Sequence, residues 1–249
     1  MCRAFRLFGV SLGFLTRLGP GGMVAAEELA ASVPCMPLVG LLLGLMLAAP
    51  WRVGLCGGHA WVQAWLYVGG SIWLTRGLHW DGWADVCDGW GSGARGDRFW
   101  EIVKDSRVGA FGVMGMCMGL VGQVVLAHEV LADGALGVLV FGGVLGRAFA
   151  VVLCRVGRGL TRPGLGRTFM EGATPGAVAF AMACCVACGA VLVPWPALLA
   201  MLGLAAGGVA ALWRLGASRG GVNGDFLGMC ILWGELAAPL GYVLAMPAA

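Results

Sequence analysis

The sequence predicts an all-α fold: a polytopic integral membrane bundle of about seven transmembrane helices, with an interfacial helix at the N-terminus. Three observations predict it. Hydrophobic residues make up 59% of the 249 residues and charged residues only 12%, and the mean hydropathy is +0.87. Several apolar stretches approach or reach the ~20 residues that a helix needs to cross the hydrocarbon core. Fourteen of the 16 basic residues fall in alternate gaps between those stretches. A single membrane-embedded domain over residues 1–249 follows.

Taken in order, Phe5–Leu15 is apolar after two arginines but is interrupted by Thr16-Arg17 and lacks a small-residue cleavage site, so it reads as the interfacial helix rather than a signal peptide. The predicted spans are 36–55, 60–76, 108–128, 135–154, 176–193, 198–213 and 226–246, of which the second, fifth and sixth are near the lower length limit. The 45 glycines would weaken soluble helices, by up to ~1 kcal/mol each against alanine. Between membrane helices they permit close backbone approach. Gly40/Gly44, Gly115/Gly119, Gly142/Gly146 and Gly203/Gly207 are accordingly read as packing pairs. The ten cysteines are scattered in apolar runs without paired C-x2-C units, which argues against zinc or a disulfide framework.

The basic residues orient the bundle. Only Arg52 falls on one side and Arg147 inside the fourth span; the other fourteen share the opposite side, which the positive-inside rule makes cytoplasmic. A multi-pass protein of the cytoplasmic (inner) membrane with its working face toward the cytoplasm is expected. The net charge of +3 is thus a topology signal, and no nucleic-acid partner is expected.

Asp81, Asp85 and Asp88 form a D-x3-D-x2-D cluster, and on a helix these offsets place three carboxylates on one stripe. Like charges there repel, and a divalent cation bound by hard oxygen ligands would compensate them, Mg²⁺ above all. The alternative is a solvated helix face, against which the flanks His79-Trp80 and Gly89-Trp90 argue. The same segment carries Asp105 as a further acid and Arg95, Arg98, Lys104 and Arg107 as candidates for phosphate oxygens. Gly91, Gly93 and Gly96 would let a backbone turn approach an anion. A second polar island runs from Arg219 to Asp225; Asp225 reads either as a helix cap or as another metal ligand. Glu235 and Arg147 lie within spans, as an ion pair or as a metal ligand and a phosphate holder. No Ser-His-Asp set presents itself, and His79 is the only histidine near the cluster. A carboxylate-bound metal with basic clamps suits phosphoryl transfer, with an acid or histidine accepting the proton of the attacking alcohol.

At these residues the chain resembles the cobalamin synthase (adenosylcobinamide-GDP ribazoletransferase) family. The resemblance covers nearly the whole length: Leu15-Thr16-Arg17-Leu18, the block 37–44, the central block 79–89, Lys104-Asp105-Ser106-Arg107-Val108-Gly109, the block 220–228 and Gly234-Glu235. The central and last long blocks are specific; the block at Pro37 alone is weak. The resemblance implies an integral membrane, Mg²⁺-dependent transferase. In it a ribose hydroxyl of α-ribazole, or of its 5′-phosphate, attacks the cobinamide-side phosphorus of adenosylcobinamide-GDP, releasing GMP and forming adenosylcobalamin or its 5′-phosphate. It implies catalytic roles for His79, Asp81, Asp85 and Asp88, and substrate contacts from Arg17, Glu27, Arg98, Lys104, Arg107, Arg147, Arg219 and Asn223. The metal ligands would come from Asp81, Asp85, Asp88, Asp105, Asp225 and Glu235. Membrane lipid is the surrounding partner, and a homo-oligomer stays open. Departures are Gly19 for proline, Arg76 where small residues are usual, and Asn223 for threonine.

Two other readings compete. A CDP-alcohol phosphotransferase would need D-G-x2-A-R, but Asp85 follows Asp81-Gly82-Trp83-Ala84. A transporter would place charges near the midplane in repeated halves, whereas here they gather at one face without a repeat.

Overall fold

A computed structural model of the chain describes residues 3–19 and 22–246. These form α1 (Arg3–Leu15), α2 (Ala26–Ala31), α3 (Met36–Arg52), α4 (Ala60–Thr75), α5 (Leu78–Gly91), α6 (Gly96–Val103), α7 (Ala110–Ala132), α8 (Leu136–Val156), α9 (Leu165–Gly172), α10 (Pro175–Leu192), α11 (Trp195–Arg219) and α12 (Gly224–Ala245). One parallel bridge, Thr161 to Val222, is the only strand-like pairing among the described residues.

Among the described residues six helices are long and apolar enough to cross a membrane: α3 with the helical turn before it, α7, α8, α10, α11 and α12. The protein is therefore a multi-pass helical membrane bundle, as its composition predicts. The expected span at 60–76 departs from this pattern. Its helix, α4, is 16 residues long and ends where Arg76 (φ 59°) and Gly77 (φ 68°) adopt left-handed backbone. The chain then restarts as α5, the helix on which the spacing of Asp81, Asp85 and Asp88 is expected to place them.

The core is built around α8, whose most apolar stretch is 83% buried. Helices α3, α10, α11 and α12 pack against it. At the crossing of α3 a Cβ on Gly40 would stand 2.0 Å from the carbonyl oxygen of Gly143, so only a bare backbone fits. Three of the four predicted glycine pairs line such interfaces; Gly203 and Gly207 face open space instead. Outward faces carry exposed apolar side chains, such as Met114, Met118 and Val121 on α7 and Leu199 on α11, as contact with lipid requires.

The alternation of helix direction collects α1, α2, α5, α6, α9 and the long connections at one end of the bundle. Pins hold this end together. Arg6 pairs with Glu28 at 2.9 Å, Trp100 Nε1 donates to the Arg219 carbonyl at 2.8 Å, and the Arg162 guanidinium lies 4.6 Å from the Trp100 ring centre. The opposite end has only short turns, 53–59, 133–135 and 193–194.

Candidate active site

The site begins with the packing of α5 between α7 and α12. A Cβ at Gly82 would lie 2.7 Å from the backbone oxygen of Asp225, and one at Gly228 would lie 3.3 Å from the His79 Cα. The two glycines thus let the backbones of α5 and α12 touch, which carries Asp225 alongside Asp81 and Asp85. Asp81 is exposed and Asp85 half-buried. Burial, followed by the negative charges of Asp225, Asp81 and Asp88, pushes the Asp85 carboxyl from 3.8 up to about 7.

Asp88 is arranged differently. Only 8% exposed, it accepts the Gly109 N–H on Oδ2 and the Gly112 N–H on Oδ1, each at 2.7 Å. Those donors open α7 and have no partner within that helix, and the carboxylate also complements its dipole. The third aspartate of the motif therefore clamps the start of α7, a role that the spacing alone does not assign to it. Asn223 likewise takes a role expected of its neighbour. It caps α12 by accepting the Phe226 N–H at 3.5 Å, and its amide donates to the Asp225 carboxylate. Asp225 is thereby oriented rather than used as the cap.

Beneath the carboxylates lies a cavity of about 310 Å³. Asp81, Asp225, Asn223 and His79 supply its polar wall, and Phe14, Met36, Phe169 and Ile231 are among its apolar lining. The His79 ring is 3% exposed, and its Nε2 has no hydrogen-bond partner. Burial first, and the Arg147 charge second, lower its pKa to about 3, so the ring is neutral and a weak base. A second cavity of about 510 Å³, bordered by Arg76, Trp80 and Val108, shares Asp81, Phe14, Leu78 and Leu165 with the first.

Among the described residues no group of three or more His, Cys, Asp or Glu side chains is arranged to enclose a metal. The donor set at the mouth, Asp81 and Asp225 with Asp85 beside them, has no lysine or arginine among the residues that line the smaller cavity, although Arg76 borders the larger one that shares Asp81. It fits Mg²⁺, which binds through one or two carboxylates plus phosphate oxygens and waters rather than in an all-protein cage.

Other predicted site residues are engaged elsewhere. Glu235 Oε1 accepts from Arg147 Nη1 at 2.9 Å within the bundle, with Arg147 1% exposed; this is the ion-pair reading. Asp105 is held in a two-pronged contact by the Arg107 Nε and Nη2, at 3.0 and 2.8 Å, which keeps its carboxyl down near 2. Arg98 pairs with Glu101 at 2.8 Å on the surface. Arg17 donates to the Trp73 carbonyl at 2.6 Å, and Arg76 donates to the Phe14 carbonyl at 2.7 Å. Both arginines fasten the N-terminal segment to the end of α4. The Arg219 Nε is buried without a hydrogen-bond partner, its guanidinium 5.8 Å from the Phe99 ring centre. Lys104 and Glu27 are exposed. Sequence reasoning missed the cavity wall formed by Pro163, Gly164 and Gly166. A signal was present: Pro163-Gly164-Leu165-Gly166 is a turn sequence, and Gly166 abuts the Asn223–Gly224 backbone.

Fold and site together define a polytopic membrane protein with an acidic centre at one end of its bundle. The family described as cobalamin-5-phosphate synthase matches residues 7–243, and the chain belongs to it. It is 52% identical over 241 residues to an adenosylcobinamide-GDP ribazoletransferase of Nitratidesulfovibrio vulgaris (strain Miyazaki F), covering 97% of this chain and 96% of that one. A protein of the same name from N. vulgaris strain DP4 is 43% identical, covering 93% and 96%. One from Klebsiella pneumoniae (strain 342) is 33% identical, covering 92% and 96%. No solved structure matches the chain.

Proposed function

We propose that the protein is a Mg²⁺-dependent adenosylcobinamide-GDP ribazoletransferase of the cytoplasmic membrane, its carboxylates facing the cytoplasm. It joins adenosylcobinamide-GDP to α-ribazole or its 5′-phosphate, releases GMP and forms adenosylcobalamin or its 5′-phosphate. The observation that carries this reading is the backbone contact at Gly82, which brings Asp225 to Asp81 and Asp85. Near-full-length similarity to relatives of that name supports the substrates, and the gathering of basic residues at the same end supports the orientation.

In this reading Asp81 and Asp225 would hold Mg²⁺, which would supply neutralisation of phosphate charge. Asn223 fixes the Asp225 carboxylate through its amide. Asp85, half-buried beside them, accepts the proton of the attacking ribose hydroxyl on a carboxylate oxygen. The new bond forms between that hydroxyl oxygen and the cobinamide-side phosphorus, and the bond to the GMP oxygen breaks. The apolar walls exclude water, so transfer is favoured over hydrolysis.

The test is direct. Purified full-length protein in detergent, given adenosylcobinamide-GDP, α-ribazole and Mg²⁺, releases GMP and forms adenosylcobalamin in equal amounts. Absence of both products from folded protein overturns the assignment. Orientation is read separately, by labelling cysteines introduced at 95, 160 and 219 in intact cells; labelling from outside reverses it.

A further inference from the structure

The cavity of about 310 Å³ has a composition that the transfer chemistry alone does not require. Its volume is at the small end of the ~300–1,000 Å³ range of small-molecule sites, far too little for a corrinoid. No lysine or arginine lines it, and its two carboxylates stand at one side. It therefore admits the uncharged end of a ligand and leaves a phosphate outside.

Its walls are specific in shape. Phe14 and Phe169 pack on each other with ring centres 4.8 Å apart and both line the space, with Met36 and Ile231 among the further apolar lining. The His79 ring, only 3% exposed, also lines this space, and its Nε2 is buried without a hydrogen-bond partner. A buried donor or acceptor left unsatisfied is unfavourable by ~1–3 kcal/mol. A ligand that fills the space with apolar surface and offers one hydrogen-bonding ring atom relieves that deficit. A flat heteroaromatic base does both.

Asp81 borders this cavity and also the wider one of about 510 Å³, where Arg76 supplies positive charge. Two substrates entering from the two cavities would meet at Asp81. We propose that the smaller cavity is the acceptor slot. It holds the heteroaromatic base of the incoming nucleoside among Phe14, Phe169, Met36 and Ile231, with His79 hydrogen-bonded to a ring nitrogen and the sugar hydroxyls toward Asp81 and Asp225. The larger cavity receives the diphosphate of the donor. This inference rests on the transferase reading above and deepens it: His79 is a specificity residue for the acceptor rather than the proton acceptor.

The experiment uses the full-length protein in detergent, with α-ribazole as probe and adenosine as a control nucleoside. His79→Phe keeps a ring and removes the hydrogen bond; His79→Gln restores a polar atom; Ile231→Phe fills the slot. His79→Phe should raise the KM for α-ribazole about ten-fold, the order of one buried hydrogen bond, with the KM for adenosylcobinamide-GDP unchanged. His79→Gln should recover most of that loss. Calorimetric titration of α-ribazole without donor should show the same ranking, with adenosine binding weakly throughout and Ile231→Phe abolishing binding. The proposal fails if His79→Phe and Ile231→Phe both leave α-ribazole affinity unchanged, or if they shift the donor KM instead. Should the wild type form no GMP at all, the transferase reading itself has failed; the calorimetric ranking still decides the slot.

Discussion

Replacing Glu235 by glutamine tests the interior of the bundle most sharply. In the wild type one Arg147 nitrogen serves both the Glu235 carboxylate at 2.9 Å and the Gly143 carbonyl at 3.0 Å. The remaining two nitrogens, Nε and Nη2, have no partner. Glutamine keeps the size and one acceptor but removes the compensating charge from a guanidinium that is 1% exposed. Breaking a buried pair from one side typically costs about 3–5 kcal/mol. A chain unfolded within a membrane finds other partners, so the lower figure of about 3 kcal/mol applies. At roughly 2–4 °C per kcal/mol for a chain of this size, the midpoint should fall by about 10 °C. Thermal unfolding in mild detergent, followed by tryptophan fluorescence, measures it. Arg147→Met combined with Glu235→Gln should regain most of the loss, because no charge is then stranded. A single variant within about 2 °C of wild type, or a double variant no better than the single, would refute an energetically coupled pair.

Asp88→Asn and Asp225→Asn should separate clamp from ligand. The first should lower stability by about 1.5–3 kcal/mol per charged hydrogen bond lost and leave the Mg²⁺ concentration for half-maximal rate unchanged; the second should raise that concentration several-fold, and identical Mg²⁺ midpoints in the two proteins would reject the distinction. The Asp85 carboxyl is raised from 3.8 to about 7, so the folded state holds a proton that the unfolded state has released. Its contribution to stability is therefore full below about pH 4 and is lost as pH rises to about 7, and metal-free wild type should lose midpoint relative to Asp85→Asn between about pH 4 and 7, with little further change above that. A constant difference between the two melting curves would show that Asp85 is not perturbed. Gly82→Ala places a Cβ 2.7 Å from the Asp225 backbone oxygen; overpacking of about 1–3 kcal/mol should part α5 from α12 and lower turnover, whereas Gly203→Ala, which faces open space, should leave turnover at the wild-type level.

The span pattern was legible because a 20-residue apolar run has few meanings, and the acidic motif because its spacing is helical. Asp81, Asp85, Asp225 and Asn223 meet where the glycine-flanked islands suggested. The part Asp88 plays in holding α7 is not legible, because its offset from Asp81 fits a shared stripe while its partners are backbone N–H groups of Gly109 and Gly112, which leave no side-chain signature. The contacts of the arginines are hidden for a related reason. Arg17, Arg98 and Arg107 are basic residues near an acidic site, but which carbonyl or carboxylate each one meets depends on tertiary packing. The apolar wall of Phe14, Met36 and Phe169 comes from three separate segments and carries no motif.

The break after α4 has a consequence for the surrounding bilayer. Sixteen residues rise only about 24 Å, against a hydrocarbon core of about 30 Å. Trp61 and Trp73, both exposed on this helix, are separated by about 18 Å along its axis, closer than two aromatic belts stand around a full-length span. Hydrophobic mismatch of this size draws the headgroups inward or thins the lipid locally. A bilayer thinned beside α4 would bring its interface closer to Arg76 and Asp81, and with it any amphiphilic molecule resting among the headgroups there.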